Sequence, residues 1–333
     1  MRLLNGRRLM LFFFSSVIAL LSAEAALQLA GYQPWKANIN GNRQKFHESH
    51  PVLGWRSMEG SYLLPPYHPS GTDIHYTFLA NGMRKSHESQ NNSRDDRPKL
   101  LLLGGSYTQG WAISDDETYA WKLQERFPFV EVMNYGVGGY GTYQSLLVLE
   151  KVLPSIPNPR LVIYGFIEHH ESRNAGTANW MEAVLKFGRK DIFLPFVTMN
   201  TDGYLVRHPP EHLRLWPLRK KSSLVSSSQN VFMRIKAKGR AKERRRVTEQ
   251  LLLETQKLCQ GHGTDLFVVI LASTQSTTKH YMEFLENNNI MVADCTYPLT
   301  SKMKVKGDGH PNSKQNTKWS AGIADALSKR LEL

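Results

Sequence analysis

From residue 98 onward, apolar runs alternate with segments that have helical features. The apolar runs are continuous, which is typical of parallel strands buried on both faces. The last helical segment repeats an apolar residue every four positions, from Trp319 to Leu331. The predicted strands are residues 99–103, 130–134, 161–166, 266–272 and 290–293. Five strands that alternate with helices indicate a parallel sheet covered by helices on both faces.

Two stretches lie outside this alternation. Residues 32–97 are rich in Pro, Gly, Asn, Ser, His and Tyr, and we interpret them as a β-rich amino-terminal extension. Residues 174–245 are interpreted as an insertion, in which Asp202-Gly203 predicts a hairpin. The sequence therefore divides into residues 1–31, the extension at 32–97 and an α/β domain at 98–333.

The first thirty residues carry an export signal. Arginines precede an apolar run that begins at residue 9 and continues past Glu24 to residue 30. About twenty residues cross a bilayer, so residues 9–30 suffice as a membrane anchor if Glu24 lies near the far interface. The arginines hold the amino terminus in the cytoplasm and leave the rest of the chain outside it. A signal peptide cleaved near Ala25 and a buried core helix are the alternatives, and the first of these also exports the domain.

Composition and charge restrict the classes of molecule that the chain is expected to bind. The chain has 333 residues, 41% of them hydrophobic and 21% charged, which excludes wholesale disorder. The formal net charge of +13 is concentrated in residues 219–246, which hold eleven Lys or Arg and one acid. We interpret this basic window as a solvated helical face. Export conflicts with nucleic-acid binding, so no nucleic-acid partner is predicted, whereas anionic lipid headgroups and an acidic glycan stay open.

Cysteine usage excludes two classes of protein. The sequence has two cysteines, Cys259 and Cys295. A disulfide framework and a four-thiolate zinc site both need more. One bridge in an oxidising compartment and two buried thiols are equally compatible with the sequence.

Residues suited to acyl transfer follow the predicted strands, where ligands bind in an open α/β sheet. The sequence has Ser106 in a Gly-Gly-Ser turn, a glycine-rich loop at 134–142, a segment with His and Glu at 168–174, and Asp308-Gly309-His310 before the last helix. A serine nucleophile requires such a set. A histidine must accept its proton, a carboxylate must orient the histidine, and hydrogen-bond donors must stabilise the oxyanion.

These motifs resemble, in order, the blocks of the SGNH (GDSL-type) hydrolase family over residues 98–331. The resemblance implies that Ser106 is the nucleophile, His310 its base and Asp308 the third member of a catalytic triad. It also implies that the backbone N–H groups of Ser106 and Gly139 belong to the oxyanion hole.

Three positions depart from the family's pattern. Gly105 stands where the first block has aspartate, and Gly309 is the single residue between the aspartate and the histidine, where the family has two. His169 aligns with the asparagine whose side chain completes the oxyanion hole. An imidazole can donate one hydrogen bond, so we predict His169 as the third oxyanion donor. A metal site at His169 and His170 is disfavoured because adjacent side chains diverge, and no metal or cofactor is predicted.

The amino-terminal region is similar to a bacterial subgroup of exported members of the family, through Gly31-Tyr32 and the segments 50–56 and 80–84. The expected fold is a flavodoxin-like three-layer α/β/α sandwich with a parallel five-stranded sheet. The expected function is that of a periplasmic or extracellular serine esterase. Its substrate is an acyl or acetyl ester of a small molecule or, by analogy with the family, of a cell-envelope or exopolysaccharide glycan. An O-acyltransferase with the same triad and a catalytically silent glycan-binding or assembly protein are the alternatives.

Overall fold

The computed structural model describes residues 6–37, 46–90, 96–186 and 192–331. Within these ranges the strands are β1 (His47–His50), β2 (Gly54–Ser57), β3 (Gly60–Leu64), β4 (Ile74–Phe78), β5 (Lys99–Gly104), β6 (Glu131–Asn134), β7 (Pro159–Ile167), β8 (Ile192–Met199), β9 (Leu205–Leu213), β10 (Asp265–Ala272) and β11 (Met291–Asp294). The α-helices are α1 (Gly6–Leu29), α2 (Ser106–Gln109), α3 (Tyr119–Arg126), α4 (Thr142–Val152), α5 (His169–Asn174), α6 (Ala178–Leu185), α7 (Ser223–Lys236), α8 (Arg240–Gly261), α9 (Gln275–Asn287) and α10 (Ser313–Leu331). Short 3₁₀ helices cover Asp115–Glu117, Leu153–Ser155 and Ser301–Met303.

The five predicted strands form one parallel sheet in the order β11-β10-β7-β5-β6. Numbered by their sequence within the sheet, they run 2-1-3-4-5, which is the flavodoxin-like order. Strand β5 lies between β6 and β7, and its Leu102 stands opposite Asn134 of β6 and Ile163 of β7. The prediction of a flavodoxin-like fold with a parallel five-stranded sheet is therefore confirmed.

Helices cover both faces of this sheet. On one face, α3 and α10 contribute Leu123, Trp319 and Ile323 to a buried cluster that includes Leu100 and Leu102. On the other face, α4 contacts β5, α8 contacts β10, and the two helices contact each other. Since successive side chains of a strand point to opposite faces, β5 is buried on both. The turn that follows β5 is therefore attached to a strand whose residues are all buried.

The described residues group into two compact units. The larger unit, within Asn40–Gly176, Phe193–His212 and Gly239–Leu333, contains the sheet. It also contains strands β1 to β4 of the predicted extension, where β1 pairs with β2 and β3 with β4, both antiparallel. Strands β8 and β9 form the hairpin expected at Asp202-Gly203.

The smaller unit lies within Met1–Ile39, Thr177–Ile192 and Leu213–Lys238 and contains α1, α6 and α7. Helix α1 is long and apolar enough to cross a membrane, with a mean hydropathy of 2.0 in its most apolar window. None of that window is buried by the rest of the chain. A signal sequence has the same properties, so this helix is compatible with either form of the predicted export signal.

Two predictions about charged and thiol residues are resolved. Cys259 and Cys295 are free and buried, so the structure has two thiols and no bridge between them. Burial raises the pKa of each thiol to about 12. The basic window is solvated only in part, because Glu171 of α5, itself buried, accepts from Arg244 at 2.9 Å and from Arg245 at 3.1 Å.

Candidate active site

Ser106 is the first residue of the one-turn helix α2, directly after β5. The turn before it requires glycine: Gly104 has φ +151°, and a Cβ there would collide with the side chain of Thr108 and lie 2.9 Å from the carbonyl oxygen of Gly165. The N–H of a first helical residue has no acceptor within the helix. In the described part of the chain, the Ser106 amide donates no hydrogen bond. Ser106 thus presents a hydroxyl and an unengaged amide at the carboxyl end of β5, the strand between β7 and β6.

The segment after Ser106 is fastened by the buried guanidinium of Arg84. Its Nε donates to the carboxylate of Asp115 at 2.8 Å. Its remaining N–H groups donate to the carbonyl oxygens of Gln109 at 2.8 Å, Gly110 at 2.5 Å and Ile113 at 2.7 Å. A fully paired buried cation of this kind is costly to disrupt, because removing one partner leaves the other charge unpaired. Arg84 therefore fixes the end of the helix that begins at Ser106.

Asp308 and His310 lie in the loop before α10. Nδ1 of His310 is 2.6 Å from Oδ1 of Asp308, and Nε2 of His310 is 3.1 Å from Oγ of Ser106. Gly309, between them, has φ +94°, and this turn lets the carboxylate meet the imidazole although one residue separates them. The structure therefore brings Ser106, His310 and Asp308 together as a continuous chain of hydroxyl, imidazole and carboxylate, the arrangement needed to activate a serine.

The environment of Asp308 keeps its carboxyl group ionised. Burial alone raises its pKa, but hydrogen bonds from the His310 ring, the His310 amide and the Trp111 indole outweigh burial and lower the pKa below the usual value. The Trp111 indole donates to Oδ2 at 3.3 Å. An ionised carboxylate accepts a hydrogen bond from Nδ1–H of the His310 ring, and this tautomer leaves Nε2 as the acceptor that faces the Ser106 hydroxyl.

Gly139 lies in the loop between β6 and α4 with φ +87°, and its N–H donates no hydrogen bond in the described part of the chain. The preceding residue, Gly138, is held by hydrogen bonds at both its N–H and its C=O. The Gly138 N–H donates to Oε1 of Gln109 at 2.9 Å, and the Gly138 oxygen accepts from the indole of Trp55 at 2.9 Å. Because C=O and N–H point in opposite directions across a trans peptide, the Trp55 bond directs the Gly139 N–H away from the indole. Ser106 and Gly139 therefore offer two unengaged backbone donors.

His169 and His170 are the first residues of α5 and point to different environments. The His169 ring is exposed and makes no hydrogen bond with the described residues, whereas His170 is fully buried. No described contact joins His169 to Ser106 or to Gly139, so its role as third oxyanion donor stays a prediction. Within the described ranges, no group of three or more His, Cys, Asp or Glu is placed to hold a metal ion.

We assign the proton of the buried His170 to Nε2 from the contacts of its Nδ1. Nδ1 lies 2.6 Å from the Tyr164 hydroxyl and accepts a long hydrogen bond, 3.5 Å, from the Ile167 amide. An amide can only donate, so Nδ1 carries no proton. Burial, and secondarily the Arg173 cation, hold the pKa of His170 well below its usual value. The Nε2–H has no hydrogen-bond partner among the described residues.

His170 and Arg173 lie beside Gly105 and leave no room for a side chain there. A Cβ on Gly105 would lie 2.8 Å from a terminal nitrogen of Arg173, 2.9 Å from Nε2 of His170 and 3.0 Å from the carbonyl oxygen of Tyr140. The same Arg173 nitrogen donates to that carbonyl at 2.8 Å. The space beside Gly105 is thus filled by two other side chains.

No role for Trp55 or Arg84 could be predicted from the sequence. Both lie in the segments 50–56 and 80–84, which carried the resemblance to exported family members. Their contacts reach far along the chain, since Trp55 and Gly138 are 83 positions apart and Arg84 and Gln109 are 25 apart. The available signal was their position in these two segments, which lie outside the hydrolase blocks.

Comparisons with known proteins found no matching family model and no matching curated protein. Solved structures do match. They include the psychrotrophic esterase EstA from Pseudoalteromonas sp., with 13% identity, TM-score 0.41 and coverage of 72% of this chain and 100% of the other. A member of the lipolytic protein G-D-S-L family from Veillonella parvula has 12% identity, TM-score 0.40 and coverage of 70% and 99%. AlinE4, described as an SGNH-hydrolase family esterase, has 14% identity, TM-score 0.37 and coverage of 72% and 99%. These similarities are distant, so the inference of activity rests on the geometry of the site.

Proposed function

We propose that this chain is a serine esterase that hydrolyses carboxylic esters, with Ser106 as nucleophile and Asp308 and His310 completing the triad. The proposal rests on the chain of contacts from the Ser106 hydroxyl through His310 to Asp308, at 3.1 and 2.6 Å. A protein that only binds a glycan needs no such alignment, and so the geometry favours an enzyme over a silent binding protein.

In the proposed reaction, Oγ of Ser106 attacks the acyl carbonyl while Nε2 of His310 takes its proton. Asp308 stabilises the imidazolium that forms. The negative charge that develops on the carbonyl oxygen is met by the N–H groups of Ser106 and Gly139, with His169 as the proposed third donor. His310 then protonates the leaving alcohol, and an acyl-enzyme remains on Ser106. Water, deprotonated by His310, attacks the acyl-enzyme and releases the acid.

The substrate and location are part of the same proposal. We expect the enzyme to act outside the cytoplasm, held in the membrane by α1, on acyl or acetyl esters of a small molecule or of a cell-envelope or exopolysaccharide glycan. Retention of α1, rather than cleavage near Ala25, is supported by Glu24. Its carboxylate accepts three hydrogen bonds from the start of α7, at 2.7 to 2.8 Å, which cleavage would remove.

Labelling with a fluorophosphonate probe followed by peptide mapping tests the nucleophile. We expect modification of Ser106 in the full-length protein purified in detergent. Ser106→Ala should escape labelling and lose about three or more orders of magnitude in turnover on short acyl esters, because triad members act as a unit. Ser276→Ala, at an exposed serine of α9, is the matched control and should behave as the wild type.

Two results would contradict the assignment: labelling at another serine, or turnover by Ser106→Ala above roughly a tenth of wild type. Product analysis with candidate glycan acceptors then separates hydrolysis from transfer. Release of the free acid in preference to an acylated acceptor is expected for a hydrolase. The opposite preference would assign the same triad to an O-acyltransferase.

A further inference from the structure

Helix α7 of the smaller unit buries Met233 but leaves three other large apolar side chains exposed. Val231, Phe232 and Ile235 are 52%, 47% and 67% exposed, whereas Ser226 and Gln229 are buried. Residues three or four positions apart share a helix face, so the three apolar side chains form one exposed stripe. A surface helix normally turns such a stripe toward the core.

The loop before α7 extends this apolar surface. The Trp216 and Phe232 rings lie 5.4 Å apart, and the Trp216 amide donates to Oε1 of the buried Gln229 at 2.9 Å, which holds the loop against the helix. Leu218 in the same loop is 65% exposed. Contiguous exposed apolar surface of this kind marks a contact with another apolar phase or molecule.

Basic side chains border the apolar stripe. Arg234 and Lys236 lie on α7 on either side of Ile235, and all three are exposed. Lys220 and Lys221 are exposed in the preceding loop, and residues 213–238 contain no Asp or Glu. Lysine and arginine beside an apolar face extend their charged ends toward lipid headgroups while their stems cover apolar surface.

Hydrogen bonds to Glu24 fix the start of α7 at a defined position along α1. Its carboxylate accepts from the Ser222 hydroxyl at 2.7 Å and from the amides of Ser223 and Leu224 at 2.8 Å each. Glu24 lies fifteen residues beyond residue 9, about 22 Å along the helix, and so toward the outer side of a hydrocarbon core of about 30 Å. An ionised carboxylate at that depth needs partners, and the first turn of α7 supplies them. With α1 as the anchor, helix α7 therefore begins at the membrane interface on the non-cytoplasmic side.

We infer that residues 214–238, the interfacial segment, form a second membrane contact that rests on anionic lipid headgroups beside α1. This surface goes beyond the proposed hydrolysis. An acidic glycan would match the basic residues but would leave Phe232 and Ile235 in contact with sugar and water. A second copy of the segment would bring like charges together. A bilayer surface with anionic lipids satisfies the apolar stripe and the basic border at once.

Spin labelling of the full-length protein in lipid nanodiscs tests this inference. Labels are attached at Phe232→Cys and Ile235→Cys, and the native Cys259 and Cys295 stay unlabelled because they are buried. The matched control is Asn179→Cys, at an exposed position of α6, which contacts α7 within the same unit. Nanodiscs of phosphatidylglycerol mixed with phosphatidylethanolamine are compared with nanodiscs of phosphatidylcholine alone.

In the anionic nanodiscs we expect the labels at 232 and 235 to collide several-fold less with a water-soluble nickel relaxant, and more with oxygen, than the label at 179. In phosphatidylcholine this protection should weaken, since the basic residues lose their partners. Equal access to the nickel relaxant at all three positions in both lipids would overturn the inference. Spin–spin broadening at 235 with protection that persists in detergent would also overturn it, because a second copy would then cover the stripe.

Discussion

The serine side and the Asp–His side of the candidate site are held in place by different means. The helix that begins at Ser106 is buried and is fixed by side chains from distant segments, with Arg84 on its carbonyl oxygens and Asn134 donating to Thr108 at 2.9 Å. The loop with His310 is half-buried and is held largely by itself, as in the bond from the Val305 amide to the His310 oxygen at 2.7 Å. Its closure depends on the backbone conformation of Gly309.

The two sides of the site therefore depend on different parts of the chain. The nucleophile and its oxyanion donors depend on the amino-terminal extension, because Trp55 and Arg84 come from it. The histidine and its carboxylate depend on local conformation and on the hydrogen bond between them. Substitutions on the serine side should therefore act over long distances, and substitutions on the Asp–His side should act locally.

The largest effect is expected at Asp308. Asp308→Asn should lower kcat by about 10³–10⁴-fold with little loss of stability, because an amide no longer holds His310 in the tautomer that accepts the serine proton. Trp111→Phe removes one hydrogen bond to the carboxylate and leaves those from the His310 ring and amide, so its kcat should fall far less. Steady-state kinetics on a short acyl ester measure both. Equal losses in the two variants would mean that Trp111, and not the tautomer of His310, controls the carboxylate.

A smaller effect is expected at Trp55. Complete loss of an oxyanion donor costs about 10²–10³-fold in turnover, and Trp55→Phe leaves the Gly139 N–H in place but less well directed, so kcat should fall about tenfold with KM nearly unchanged. Trp121→Phe is the matched control, since its buried indole donates to Glu125 at 3.1 Å within α3. A kcat for Trp55→Phe equal to that of the control would leave Trp55 with a purely structural role.

Gly309 tests the local dependence of the Asp–His side. A Cβ at this position meets nothing within 4 Å, so Gly309→Ala adds only the strain of φ +94°, about 1–2 kcal/mol for an L-residue. We expect a lower free energy of unfolding if the loop keeps its conformation, and a lower kcat if the loop changes conformation to relieve the strain. Gly261→Ala, at the open end of α8, also meets nothing within 4 Å and has no positive φ, so it should be neutral or slightly stabilising. Identical behaviour of the two variants would show that the loop closes without glycine.

Much of the fold could be predicted because buried parallel strands are continuous apolar runs, as in β5, and because the strand ends bring Ser106 and Asp308-Gly309-His310 together. What could not be predicted depends on distant partners. Helix α8 begins at Arg240, within the predicted insertion at 174–245, and its charged first turns have no apolar periodicity. They are stabilised from elsewhere, for example by Arg240 stacked 3.9 Å above the Phe196 ring. The roles of Trp55 and Arg84 were missed for the same reason.

The smallest expected effect distinguishes the two adjacent imidazoles. Burial holds the pKa of His170 well below its ordinary value. Below a pH of about 6.5 the unfolded chain therefore binds a proton at this residue that the folded chain does not. As the pH is lowered further, this group reduces the free energy of unfolding by up to about 1.4 kcal/mol per pH unit. His170→Asn removes this titration, so its stability should fall less than that of the wild type between pH 7.5 and 5.5. His169→Asn should follow the wild type more closely, because burial lowers the pKa of His169 less than that of His170, and it should keep kcat if an amide replaces the imidazole as oxyanion donor. Urea unfolding at both pH values, with kcat measured alongside, checks these outcomes. Parallel pH dependence of the wild type and His170→Asn would mean that His170 gains a proton in the folded state as readily as in the unfolded one.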